Sequence, residues 1–169
     1  MQIIKYCMLF ILFISSCAIG KYISQKYKFR LEELEEVKNA LNIFKTKIKF
    51  TYDPIPEIFV DIAKNSNKNV SNLFIKAKEN MKESTSSVSW EEAVDEYQGN
   101  LNNEDKQVLK TLSKLLGITD ADGQLSQIEV TETFLDEQIR QAQEEKNRNE
   151  KLYKKLGICA GLAIVIMLV

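Results

Sequence analysis

LEELEEVKNALNIFKTKIKF, residues 31–50, sets Leu34, Val37, Leu41, Phe44 and Ile48 at spacings of 3, 4, 3 and 4. That recurrence draws one apolar seam along an α-helix, with Glu and Lys on the remaining faces. A single seam is stable only when other helices cover it, so the rest of the chain is expected to supply them. No β alternation and no internal repeat competes with this pattern.

Downstream, Asp53-Pro54 and Pro56 break the first helix and offer an N-cap for a second one carrying Ile55, Ile58, Phe59 and Ile62. The Asn-rich run Asn65 to Asn72 reads as a turn, followed by a third helix with Val70, Leu73, Phe74, Ala77 and Met81. Ser84 to Ser89 reads as a polar loop closing in a capping box, Ser89 to Glu92. A fourth helix then carries Trp90, Ala93, Val94 and Tyr97, with Trp90 expected as a core anchor. Gly99, Asn100 and Asn102 mark a turn before a fifth stripe, Val108, Leu109, Leu112, Leu115 and Leu116, stopped at Gly117. A sixth helix starts near Asp120 to Gly123, shows Leu125, Ile128, Leu135, Ile139 and Ala142 on one side, and turns polar from Gln143 to Glu150.

Upstream of the seam, Lys5 is the only charged side chain between Ile3 and Gly20, a run long enough for a membrane helix. The last 14 residues carry no charge and reach about 21 Å as a helix, extended by Leu152 and Tyr153 if Lys154 and Lys155 snorkel to the interface. Basic residues crowd beside both runs: Lys21, Lys26, Lys28 and Arg30 after the first, and Lys146, Arg148, Lys151, Lys154 and Lys155 before the second. The positive-inside rule therefore places the middle of the chain in the cytoplasm. The expectation is an all-α antiparallel bundle of about six helices flanked by N- and C-terminal transmembrane helices. Its parts would be a membrane helix over 3–23, a helical cytoplasmic domain over 24–150 and a second membrane helix over 152–169. The alternative is a lipid-anchored extracytoplasmic binding protein processed at Cys17, since Ile14-Ser15-Ser16-Cys17 has the form of a lipoprotein cleavage site. Ser16 with Gly20, and Gly157 with Gly161, have the spacing that lets membrane helices approach closely, either with each other or with a partner.

The chain has 169 residues with 23 Lys plus Arg and 24 Asp plus Glu, but no acid precedes Glu32 and none follows Glu150. The region 32–150 holds 15 basic against 24 acidic groups, which opposes nucleic-acid binding. With no histidine, the commonest general base and metal ligand are missing. The three cysteines all sit in the apolar ends, and no glycine loop cradles phosphate. Asp120, Asp122, Gly123 and Glu129 imitate part of a calcium loop, yet Ile118 stands where its first carboxylate belongs, so an Asp-capped helix junction is expected. No enzyme activity, cofactor, metal or small-molecule substrate is expected. The carboxylates of the fourth helix, Glu91, Glu92, Asp95 and Glu96, form a candidate face for a basic partner.

The N-terminal span with its basic flank, Trp90-Glu91-Glu92, Leu116-Gly117-Ile-Thr-Asp120 with Gln124 and Ile128, and Leu156-Gly157-x-x-Ala160-Gly161-Leu162 together resemble the stage III sporulation protein AB family of endospore-forming Firmicutes, over essentially the full length. The resemblance implies a helical domain similar to the cytoplasmic domain of the platform protein F of type II secretion and type IV pilus machines. It implies a non-enzymatic member of a mother-cell membrane complex, part of a channel-like assembly around the engulfed forespore. The partners it implies are the other stage III sporulation proteins, among them the cytoplasmic ATPase stage III sporulation protein AA, while the apolar ends make membrane lipid a further expected partner.

Overall fold

The computed structural model describes residues 2–168, which contain no strand. Six α-helices follow in order, α1 Gln2–Phe50, α2 Ile55–Asn65, α3 Lys68–Asn80, α4 Ser86–Asp95, α5 Asn103–Lys110 and α6 Ala121–Leu168, with a 3-10 turn over Thr111–Lys114. The chain divides into two compact units, one of Met1–Leu31 with Gln141–Val169 and one of Glu32–Arg140.

The Glu32–Arg140 unit is built on the seam of α1. Leu34, Val37, Leu41, Phe44 and Ile48 are all buried, as their spacing predicts. Ile58, Phe59 and Ile62 of α2, Val70, Leu73 and Phe74 of α3, and Trp90, Ala93 and Val94 of α4 are buried in the same unit. The centre is aromatic. Phe59 meets Phe44 edge-on at 5.5 Å and Phe74 at 5.1 Å, and Trp90 lies 5.6 Å from Phe59 and 5.2 Å from Phe74, between ring centroids. Trp90 Nε1 donates to the Leu109 carbonyl at 2.8 Å, so the one polar atom of the indole is satisfied inside the core. Ile128, Thr131 and Leu135 of α6 are buried in the same unit, where Lys45 of α1 pairs with Glu132 at 2.8 Å and Lys38 with Asp136.

Several local boundaries differ from the sequence-based expectation, and each has a physical cause. Pro54 rather than Asp53 is the N-cap of α2, because the Asp53 carboxylate is taken by Thr51 Oγ1 at 2.7 Å and by Lys47 at 3.3 Å. The Asn-rich turn shrinks to Ser66 and Asn67. Asn67 caps α3 through Val70 N, and Asn69 and Asn72 are helical. Helix α4 starts at Ser86 with Thr85 as its cap, so the box from Ser89 to Glu92 does not form. In a run of successive Ser and Thr residues every position is a plausible cap, and tertiary packing makes the choice.

The capping box occurs instead at Asn102 and Asp105, at the start of α5. That helix then tightens into the 3-10 turn because its last carbonyls are claimed elsewhere. Val108 O accepts from Thr111 Oγ1, Leu109 O from Trp90, Lys110 O from Ser113 Oγ, and Thr111 O from Gln127 Nε2. Satisfied from the side, these groups no longer hold the α-helical ladder. Gly117 follows with φ +72°, a left-handed turn that a side chain would strain. Asp120 Oδ1 accepts from Gly123 N at 3.0 Å, so α6 opens on an Asp-capped junction as expected.

Ser89, shifted from the cap into the helix, is fully buried and its hydroxyl has no partner. Ser89→Ala removes an unsatisfied polar atom at nearly constant volume, and is expected to raise stability by about 1 kcal/mol. A denaturant midpoint that falls instead would show that the hydroxyl is bonded in solution.

Candidate functional site

Two sets of residues stood out in the sequence, and they fall in different units. In the Met1–Leu31 with Gln141–Val169 unit, α1 and α6 meet along a ladder whose numbers rise on one helix as they fall on the other. Ser16 Oγ donates to the Gly157 carbonyl at 2.9 Å. A Cβ on Gly20 would lie 2.7 Å from the Tyr153 carbonyl oxygen and 2.9 Å from Gly157 Cα, and one on Gly161 would lie 2.8 Å from the Phe13 ring. Backbone therefore rests on backbone at Gly20 and Gly157, a spacing open only to residues without a side chain. Ser16, Gly20, Gly157 and Gly161 are thus gathered at one crossing. Toward the middle of the sequence, Tyr27 stacks on Tyr153 at 5.9 Å, and Arg30, 9% exposed at its side chain, pairs with Glu145 at 2.7 Å. Cys7, Cys17 and Cys159 are free thiols, and Cys17 lies within the unbroken helix α1.

By length and composition, one helix among the described residues is apolar enough to cross a membrane, in the N-terminal part of α1. Its outward side chains are large and apolar, with Tyr6, Phe10, Ile11 and Ile19 each at least 60% exposed.

In the Glu32–Arg140 unit, α4 presents its carboxylates in two rows, because residues one turn apart share a face. Glu91 accepts from Ser113 Oγ, and Asp95 pairs with Lys110 at 2.6 Å, both toward the α5 side. Glu92 accepts from Asn80 Nδ2 at 3.2 Å and Glu96 pairs with Lys76 at 3.0 Å, both toward α3. The four are exposed, and each has a partner within the chain. The ion pair also raises the Lys76 pKa, chiefly through its hydrogen bond to Glu96.

Sequence reasoning passed over the most elaborate polar group of this unit. Glu33 is 4% exposed and accepts four hydrogen bonds: Oε1 from Asn69 Nδ2 at 2.6 Å and Asn100 Nδ2 at 2.7 Å, Oε2 from Tyr97 hydroxyl at 2.7 Å and Asn100 N at 2.6 Å. The carboxylate ties α1 to α3 and to the turn between α4 and α5. Burial first, and then the bond to Glu33, push the Tyr97 hydroxyl far above its ordinary pKa, so it remains a donor. All four bonds are donated to the carboxylate, by three residues none of which is a nucleophile poised on a base, so the cluster is suited to holding elements together.

Among the described residues, no group of three or more Cys, Asp or Glu is arranged to hold a metal ion. Asp122 and Glu129 of the calcium-like stretch lie on helix α6, where its loop geometry is lost.

A helical protein whose two apolar ends are clasped together, with a second helical unit formed by the intervening sequence, is the class this geometry defines. The family model for stage III sporulation protein AB matches residues 5–169, and the chain belongs to that family. A curated relative, stage III sporulation protein AB of Bacillus subtilis (strain 168), is 26% identical over 153 residues, covering 88% of this chain and 90% of the relative. A solved structure of stage III sporulation protein AB matches with a TM-score of 0.65 at 22% identity, covering 70% of this chain and 96% of that one. That structural likeness is one of fold.

Proposed function

We propose that this chain is a non-enzymatic membrane scaffold of the mother-cell sporulation complex that acts after engulfment. Two membrane helices, 3–23 and 152–169, anchor it in the mother-cell membrane around the forespore, and residues 24–150 form an antiparallel helical bundle in the cytoplasm. The observation that carries this reading is the Gly20–Gly157 crossing, where two apolar segments from far-apart parts of the sequence pack backbone to backbone. The basic residues beside both segments support the inward orientation. Membership of the sporulation family supports the setting, and the buried side chains of the Glu32–Arg140 unit serve packing and internal bonding, which supports a scaffold over a catalyst.

By its resemblance to secretion platforms, the bundle meets the other stage III sporulation proteins, including the cytoplasmic ATPase stage III sporulation protein AA, through the α4 carboxylates Glu91, Glu92, Asp95 and Glu96. Crosslinking in cells during engulfment, followed by purification of the tagged protein in detergent, tests this. Recovery of the ATPase is the expected result, whereas recovery of intermembrane-space proteins alone would invert the topology. Reversing Glu91 and Glu92 to Lys is expected to weaken association by about tenfold, or about 1.4 kcal/mol. Unchanged co-purification would remove α4 from the interface.

A further inference from the structure

The clasp of α1 on α6 has an electrostatic consequence. Residues 21–31 and 141–155 belong to one unit and together hold nine basic and three acidic side chains. Glu145 pairs with Arg30 at 2.7 Å and Glu150 with Lys154 at 2.6 Å. The ladder that sets Gly20 against Gly157 and Tyr27 against Tyr153 brings Lys21 to the level of Lys155, and Lys26 to that of Lys151. These four lysines are exposed, as is Lys28. From Lys21 to Lys26 a helix rises about 7.5 Å. The polar headgroup layer of one leaflet is of similar depth, roughly 5–8 Å. Tyr22, 66% exposed, lies in the same band, as aromatic side chains do at a membrane interface. Immediately beyond it the surface is apolar, with Ile19 at 61% exposure.

We propose that this collar binds anionic phospholipid headgroups, its lysines meeting the lipid phosphates while the apolar surface next to it meets the acyl chains. Each helix supplies two of the four lysines at these levels, and the clasp at Gly20 and Gly157 assembles them into one band. The inference rests on the membrane-anchored reading above. Charge complementarity selects the occupant: an excess of exposed lysines, adjoining apolar surface, calls for a ligand with an anionic head and an apolar tail.

The test uses the full chain purified in non-ionic detergent, with its melting temperature followed as phosphatidylglycerol or phosphatidylcholine is added. Half of the full shift is expected at a phosphatidylglycerol concentration at least tenfold below that for phosphatidylcholine, with the preference reduced in high salt. Replacing Lys21, Lys26, Lys151 and Lys155 together by Gln should abolish the preference, and replacing the same four by Arg should preserve it. Should the Gln variant fail to fold, competition between the two lipids for the wild-type chain, read by native mass spectrometry, decides the matter. Equal responses to both lipids, or a preference kept by the Gln variant, would overturn the proposal. An equal shift with inorganic phosphate would assign the collar to a soluble anion and overturn it as well. Alkaline carbonate extraction of wild-type membranes separates the two readings: release of the chain would remove the anchor and the collar together, while retention without lipid preference would remove only the collar.

Discussion

Trp90→Ala is expected to lower stability by about 3–5 kcal/mol, the range for truncating a large buried aromatic. Trp90 is fully buried and touches Phe59 and Phe74, and these rings in turn reach Phe44 on the seam of α1. Its removal opens a cavity where α2, α3 and α4 meet, and takes the indole donor from the Leu109 carbonyl. Trp90→Phe keeps most of the packing and loses that bond, so a smaller loss of about 1–3 kcal/mol is expected. As Trp90 is the sole tryptophan, fluorescence during denaturant unfolding reports on this cluster in the wild type, and circular dichroism follows the variants. A loss below about 1 kcal/mol for Trp90→Ala would show that the cluster collapses around the gap or is already loose.

Glu33→Ala is expected to cost about 3–5 kcal/mol, for a different reason. The substitution strands buried donors, and stranding a group costs more than its bond contributed. Asn69, Tyr97 and Asn100 converge on this one side chain from two other parts of the unit. Glu33→Gln keeps the shape and one acceptor oxygen. Its amide nitrogen faces donors, so part of the loss should remain unless the Asn side chains flip. Tyr97→Phe removes one donor only, and should cost about 1–2 kcal/mol. Denaturant midpoints for the three variants test the order Ala, Gln, Phe from most to least destabilised. An Ala variant as stable as the Phe variant would mean that water replaces the carboxylate.

The contrast between these two residues shows what the sequence discloses and what it withholds. The seam from Leu34 to Ile48 and the core position of Trp90 were legible because burial follows a local helical period, and a large apolar side chain has few other places to go. Glu33 sits in the run Glu32-Glu33-Leu34-Glu35-Glu36, where nothing local separates it from its solvated neighbours. Its donors lie 36, 64 and 67 residues away, so its burial is a property of the assembled unit alone. The same reason explains the boundaries that moved. The start of α4 was ambiguous among neighbouring Ser and Thr caps, and the 3-10 turn depends on Trp90 and Gln127 reaching carbonyls from other helices. Small residues at positions 16, 20, 157 and 161 announced a close approach by their spacing. That they approach one another is a property of the folded chain, since the pattern on a single helix does not name its mate.

The bond from Ser16 to Gly157 spans 141 positions. At about 5–20 residues per second of synthesis, the second half of the clasp is made roughly 7 to 30 s after the first. Through that interval the small-residue groove of α1 stands open, available to any neighbouring helix that fits. Contact order, which slows folding when partners are distant along the chain, here becomes a matter of timing during translation. A nascent chain halted anywhere in the Glu32–Arg140 region would carry an unclaimed groove, so faithful assembly depends on α6 arriving before a competitor does.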